Sequence, residues 1–274
     1  MIEKRIKNFS IKQICDSGQC FRMNVTDNGD VAVIAKGKRL IVHQEGELVQ
    51  FHCGEEEYND IWKHYFDIEG NTDYEGIMAS IDKNDTYLIN AAKYGSGIRI
   101  LNQDLWEMII SFIISQQNNI KRIRGCISRL CEKYGEKICF TGEDGSEIFF
   151  YDFPTPEILA NADIEDIKAL GVGYRAPYIK RAAEDVANLQ LCLADLESMS
   201  YDMAKKELLR LYGVGNKVAD CICLFSLHHL EAFPRDTHIN SIVDREYNGD
   251  FPFTLYDGYE GVLQQYMFYY DLGK

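Results

Sequence analysis

A chain of 274 residues, 46% of them apolar, can bury one large core or two to three smaller ones, which excludes wholesale disorder. A formal net charge of -14 excludes a surface that is basic throughout, so any contact with phosphate needs locally focused positive potential. No apolar run nears the roughly twenty residues of a membrane span, "MIEKRIKNFSIKQICD" at 1–16 lacks the apolar centre of a secretion signal, and nine cysteines without paired short spacings read as buried thiols of a reducing cell, with no cysteine-held metal.

The first sixty-odd residues read as short antiparallel strands. "QCFRMNVTDNG", "DVAVIAKGKRLIVHQEG" and "ELVQFHC" combine β-branched residues with turn signals at Asp27-Asn28-Gly29, Lys36-Gly37 and Glu45-Gly46. Near "EEEYNDIWKHYFD" the apolar spacing becomes helical, and from Tyr74 onward helices dominate. "YEGIMASIDKNDTYLINAAKYG" is expected to run as a helix to Gly95. "LWEMIISFIISQQNNIKRIRGCISRLCEKYG" is a long helical region broken at Gln116–Asn119, where a helix end and a new start expose backbone amides. "TGEDGSEIFFYDFPTPEILAN" reads as an insertion-like connection. Two segments then share one design, "IEDIKALGVGYRAPYI" and "KKELLRLYGVGNKVADCI": helix, Gly-Val-Gly turn, helix.

Charge is uneven along the chain. "GEEEYND" at 54–60, "ANADIEDI" at 160–167 and "DLESMSYD" at 195–202 are acidic, whereas "NNIKRIRG" at 118–125 carries three basic residues and no acid. Gly213 and Gly215 permit a tight reversal that leaves the first amides of the next helix exposed, a site for one backbone phosphate without formal charge. Lys217 falls on the first turn of that helix beside Val218 and Ile222. There the helix field and desolvation both act against an ammonium, and an amine can attack an electrophilic carbon. Asp236 follows Pro234 and can serve as its acid-base partner or stabilise positive charge on a sugar. Both residues also have bland readings: a lysine stem covering apolar surface and a helix N-cap.

The ordered set "SGQCFR" (17–22), "SFIISQQNNIKRIRG", "LGVGYRA", "GVGNKVADCICL", "DTH" (236–238) and "YEGVLQQYMFYYD" resembles the helix-hairpin-helix DNA glycosylases, specifically the 8-oxoguanine DNA glycosylase/apurinic lyases of the eukaryotic type, over almost the entire chain. The resemblance implies an α+β fold, with an N-terminal antiparallel β domain packed beside a mostly α-helical helix-hairpin-helix core. The expected divisions are 1–72 for the β domain, 73–200 for a helical domain with an insertion near 140–154, and 201–274 for the catalytic hairpin and C-terminal helix with part of the N-terminal linker. It implies excision of 8-oxoguanine extruded from duplex DNA, with Lys217 attacking C1′, Asp236 assisting, and β-elimination on the 3′ side.

Residue by residue, the resemblance assigns Gly18, Cys221, Gln264 and Phe268 to the lesion base. Gly18 supplies a backbone oxygen to the N7 hydrogen that distinguishes 8-oxoguanine from guanine, Cys221 and Phe268 sandwich the base, and Gln264 reads its Watson–Crick edge. Arg122 and Arg175 match readers of the opposite cytosine. Gln117 stands where the family usually has an asparagine, with Asn118 also at the gap. Asn119, Gly213, Gly215 and His238 match backbone contacts, and Asp271 supports His238. A structural potassium or sodium ion on the carbonyls of Leu209, Leu211 and Val214 is implied as well, while no cofactor is required for the reaction. The last cysteine is Cys223, so the four-cysteine cluster of iron–sulfur relatives is absent. The expected protein is a monomer acting on double-stranded DNA with no membrane, in the cytoplasm or nucleoid of a prokaryote or the nucleus of a eukaryote. The alternatives are a glycosylase for another damaged base and a noncatalytic helix-hairpin-helix DNA-binding protein.

Overall fold

The computed structural model describes residues 1–68, 70, 72–141 and 147–273. Five strands, β1 (Ile2–Arg5), β2 (Met23–Val25), β3 (Val31–Ala35), β4 (Lys38–Glu45) and β5 (Leu48–Phe51), form one antiparallel sheet in the order β1-β5-β4-β3-β2. Strand alternation sets the buried face: Val31 and Val33 on β3 lie opposite Val42 and Leu40 on β4, and all four are fully buried. Lys36 (φ 50°) and Gly37 (φ 70°) are both left-handed, the geometry whose twist matches a two-residue hairpin. Trp62 and Phe66, from the helical segment after β5, close this first core.

Two features of the N-terminal half differ from expectation. Residues 2–5 pair with β5, and Ile11–Asp16 forms a short helix capped by Ser10; neither is long enough to announce itself by periodicity. The stretch 74–95 is two helices, Tyr74–Ser80 and Thr86–Tyr94. Aspartates break it: Asp82 accepts from Asn84 N and Asp85 accepts from Leu88 N, each at 2.8 Å, so the side chains capture amides that a continuous helix would use.

The second core runs from Tyr74 to Met267, across residue 200, and also takes in Phe21 from the N-terminal part. At its centre lies the helix Leu105–Ser115, every residue of which is buried, as befits a helix with apolar residues on every side and only Glu107, Ser111 and Ser115 polar. It stops at Gln116, and Asn119 caps the next helix, Ile120–Tyr134, so the polar interruption is a helix end and a new start, as its composition predicts. The insertion-like connection from Thr141 holds β7 (Glu147–Tyr151), which pairs with β6 (Lys137–Thr141) just before it in a two-stranded ladder; residues 142–146 of that connection lie outside the described residues.

Buried polar contacts join the two cores. Gln19 accepts from Leu101 N and donates to Arg99 O, both at 2.9 Å, while Gln103 donates to Gln19 O at 2.8 Å. These bonds fix the loop carrying Gly18 against the helical core.

Candidate active site

Lys217 is the second residue of the helix Asn216–Phe225, and Asp236 is the N-cap of the helix Thr237–Tyr247. Both helix starts open onto one cleft of about 1000 Å³. Gly18, Gln117, Asn118, Asn119, Gly215, His238 and Phe268 also line it. The cleft's cations are Lys121, Lys217 and Arg235, and its one acid is Asp236, so a chain of net charge -14 concentrates positive charge here. A larger volume alone does not single it out, but the convergence of charge and polar groups in one concavity does.

The lysine is held by its surroundings. Its Nζ lies 5.4 Å from the centroid of the Phe112 ring and beside the Cys221 thiol. Among the described residues it makes no ion pair. Burial pushes the Cys221 thiol up to about 11, against the pull of the adjacent Lys217, so Cys221 is a neutral, apolar backing. The helix beneath is locked to its hairpin partner by Asp220, which is buried, accepts from Tyr201 Oη and forms an ion pair with Lys205 Nζ, each at 2.7 Å.

Asp236 does cap its helix, accepting from Ile239 N at 2.8 Å. The bland reading and the functional one therefore coincide: the cap fixes one carboxylate oxygen of a side chain that also lines the cleft. His238 meets Phe268 nearly at right angles with ring centroids 5.3 Å apart, and its Nε2 lies 3.2 Å from Asp271 Oδ2 without the alignment of a hydrogen bond. Asp271 is fixed by Arg245 at 2.6 Å. Gly18 is left-handed (φ 80°), and a Cβ there would press on the Phe268 ring at 3.2 Å. Among the described residues its carbonyl accepts no backbone hydrogen bond.

Other expected residues stand off the cleft surface. Cys221 and Gln264 lie behind its wall, Gln264 donating to Pro234 O at 3.2 Å. Arg122 is exposed at the rim, donating to Gly171 O at 3.2 Å. Arg175, expected at the opposite base, is only 3% exposed and spends its guanidinium on backbone: on Val172 O at 3.0 Å, on Gln117 O at 3.2 Å and on Gln116 O. It holds the 116–117 loop from beneath, with Gln117 strained at φ 46° and exposed at the tip.

The two Gly-Val-Gly turns meet through a tyrosine stack. Tyr178 packs edge-on against Tyr212 at 5.0 Å and Tyr174 at 5.9 Å. Gly213 (φ 84°) faces the Tyr178 ring so closely that a Cβ would overlap it, whereas nothing lies near a Cβ on Gly215. In the turn, Leu211 O accepts from Val214 N at 3.1 Å, and among the described residues the carbonyls of Leu209 and Val214 accept no backbone hydrogen bond. Their free lone pairs suit a hard monovalent cation, and no side-chain acid is needed.

With this geometry in view, residues 1–109 match the family described as 8-oxoguanine DNA glycosylase, N-terminal domain, and residues 110–250 match the HhH-GPD superfamily of base excision DNA repair proteins. The chain belongs to the HhH-GPD superfamily. It is 40% identical over 162 residues to an N-glycosylase/DNA lyase of Saccharomyces cerevisiae, covering 55% of this chain and 42% of that protein. It is 33% identical over 188 residues to a probable N-glycosylase/DNA lyase of Methanothermobacter thermautotrophicus, covering 61% and 57%. The chain thus spans about half the length of the curated relatives it matches. The likeness to the 8-oxoguanine glycosylase/lyase of Clostridium acetobutylicum, in complex with double-stranded DNA containing cytosine opposite 8-oxoguanine, covers 99% of this chain and 97% of that one, at 34% identity and a TM-score of 0.89. The α+β architecture expected of this HhH-GPD chain is the one observed.

Sequence reasoning missed Phe21, Phe112, Arg235 and Asn240, all on the cleft. Arg235 has a readable signal, a cation between Pro234 and Asp236; it donates to Asn240 Oδ1 at 2.8 Å. Phe112 has none, because it sits among Ile109, Ile110, Ile113 and Ile114 on a helix that is buried on every side.

Proposed function

We propose that this chain is a bifunctional DNA glycosylase/AP lyase that removes 8-oxoguanine from duplex DNA. The observation that carries the reading is the convergence of Lys217 and Asp236 on one cleft with Gly18 and Phe268. The cleft takes an extruded base, because the glycosidic carbon is out of reach inside a stacked duplex. The Lys217 Nζ lone pair forms a bond to C1′ as the C1′–N9 electrons leave with the base, which takes up a proton. The Asp236 carboxylate offsets positive charge on the sugar and accepts the proton shed by the nitrogen once it has bonded to C1′. Opening of the C1′–O4′ bond gives a lysine–sugar Schiff base, and loss of a C2′ proton then expels the 3′ phosphate.

Selectivity for the lesion rests on Gly18, whose carbonyl can accept the N7 hydrogen of 8-oxoguanine and repels the bare N7 of guanine. Gln117 and Arg122 face the gap and the opposite base, with Arg175 acting through the loop it supports. The exposed turn amides at Gly213–Gly215 take a backbone phosphate. A potassium or sodium ion held by Leu209, Leu211 and Val214 would screen that phosphate. Nucleophile and acid come from one chain, which supports action as a monomer, and among the described residues no helix is long and apolar enough to cross a membrane.

The test is excision from duplexes carrying 8-oxoguanine, alkylated adenine or uracil, with borohydride to trap the Schiff base. The wild type is expected to release 8-oxoguanine and form a covalent adduct, and Lys217→Gln to lose both while still binding the lesion duplex. Tight binding without release of any base would support a noncatalytic module instead. Undiminished trapping in folded Lys217→Gln would move the nucleophile to another lysine.

A further inference from the structure

The resting place of the Lys217 nitrogen is a ring, and that ring is braced by two others. Phe112 is 3% exposed, stacked on Phe225 at 5.6 Å and 20°, and met edge-on by Phe21 at 5.7 Å and 69°. Phe225 ends the helix that Lys217 begins, and Phe21 belongs to the segment that carries Gly18. The ring therefore ties the nucleophile's helix, the central helix and the lesion-reading loop into one rigid wall. Its face lies 5.4 Å from Nζ, within the range where an aromatic quadrupole attracts a cation.

We propose that Phe112 is a positioning residue for the lysine chemistry, using its π face to hold the Lys217 nitrogen at the cleft wall and to stabilise the positive charge that nitrogen acquires. This rests on the reading of Lys217 as the nucleophile. As the lone pair of Nζ forms the bond to C1′ and the C1′–N9 pair departs with the base, nitrogen passes from neutral to cationic. It is cationic again in the Schiff base once the C1′–O4′ electrons have moved to oxygen. A neutral amine gains nothing from the ring, so the interaction strengthens along the step, the condition under which a contact accelerates a reaction. An aliphatic side chain of similar volume would fill the same space without the charge preference. That distinction separates a ring selected for packing from one selected for electrostatics.

The experiment uses ring fluorination, which drains the π face while leaving the shape nearly unchanged. Chains with phenylalanine, monofluoro-, difluoro- and trifluorophenylalanine at position 112 are compared for melting temperature, lesion-duplex affinity and single-turnover formation of the borohydride-trapped adduct. Adduct formation is expected to slow stepwise, by about two- to tenfold across the series, with melting and affinity level. Phe112→Trp is expected to retain the rate, and Phe112→Leu to lose it even where it remains folded. Equal or faster adduct formation across the fluorinated series would overturn the proposal. Trapping that persists on Lys217 in that case would leave the nucleophile assignment standing, whereas absence of trapping in the unsubstituted chain would remove that assignment itself.

Discussion

At Asp236 one side chain has two duties that substitution can separate. One oxygen accepts from Ile239 N at 2.8 Å and anchors the helix start; the carboxylate charge faces the cleft that holds Lys217. Asparagine keeps the cap and loses the charge, whereas alanine loses both. Asp236→Asn is expected to unfold at the wild-type denaturant midpoint while excising at least a hundredfold more slowly, about the value of a general acid-base group. Asp236→Ala is expected to be equally slow and about 1 kcal/mol less stable. Urea unfolding beside single-turnover excision checks both, and a fast Asp236→Asn variant would leave the residue a cap alone. The sequence places this residue through its helix-capping spacing, and the same spacing hides its second duty.

The hairpin shows the same economy at the level of an element. Its two glycines have opposite reasons to be glycine. Gly213 is left-handed and pressed on the Tyr178 ring, while Gly215 is extended (φ -107°) with open space where a Cβ would go. Gly213→Ala is expected to cost about 2–3 kcal/mol, through backbone strain and overpacking against Tyr178. Gly215→Ala is expected to leave stability within about 0.5 kcal/mol and to weaken duplex binding, because a methyl group holds the phosphate off the amides. Thermal unfolding and a duplex titration separate the two; equal loss of stability in both would refute the distinction. Elements of this kind are legible from sequence where a local rule decides them: the Lys36-Gly37 turn, the polar break at Gln116–Asn119 and both Gly-Val-Gly turns all stand where expected. What stays hidden depends on distant partners. The helix break at Asp82–Asp85 depends on side chains winning amides from the helix. The burial of Arg175 depends on carbonyls nearly sixty residues away, and the place of Phe112 on the cleft depends on three separate segments meeting.

For the whole molecule, the junction of the two cores carries a titration that no local pattern announces. Glu107 lies in the first turn of the central helix, buried, with Arg22 of the N-terminal part at 3.3 Å. Arg22 also lies 3.8 Å from Asp152. Burial pushes the Glu107 carboxyl up to about 7 even with Arg22 beside it, and Asp104 and Asp152 push the same way. In the unfolded chain the group returns to its ordinary 4.5. Between these values the folded state holds the extra proton, so the stability contributed by Glu107 is full below about 4.5 and is lost as pH rises through about 7. His64 and His229, held low by burial, work in the opposite sense over part of this window, so the overall curve alone does not isolate the carboxyl. Comparison with Glu107→Gln does, because glutamine mimics the protonated acid at every pH. The two proteins are expected to be similarly stable near pH 5, and the variant to gain on the wild type by about 2–3 kcal/mol by pH 8. Chemical denaturation at a series of pH values measures this difference directly. Parallel stability curves would show that Glu107 titrates alike folded and unfolded, and that the junction holds its ion pair without a desolvation penalty.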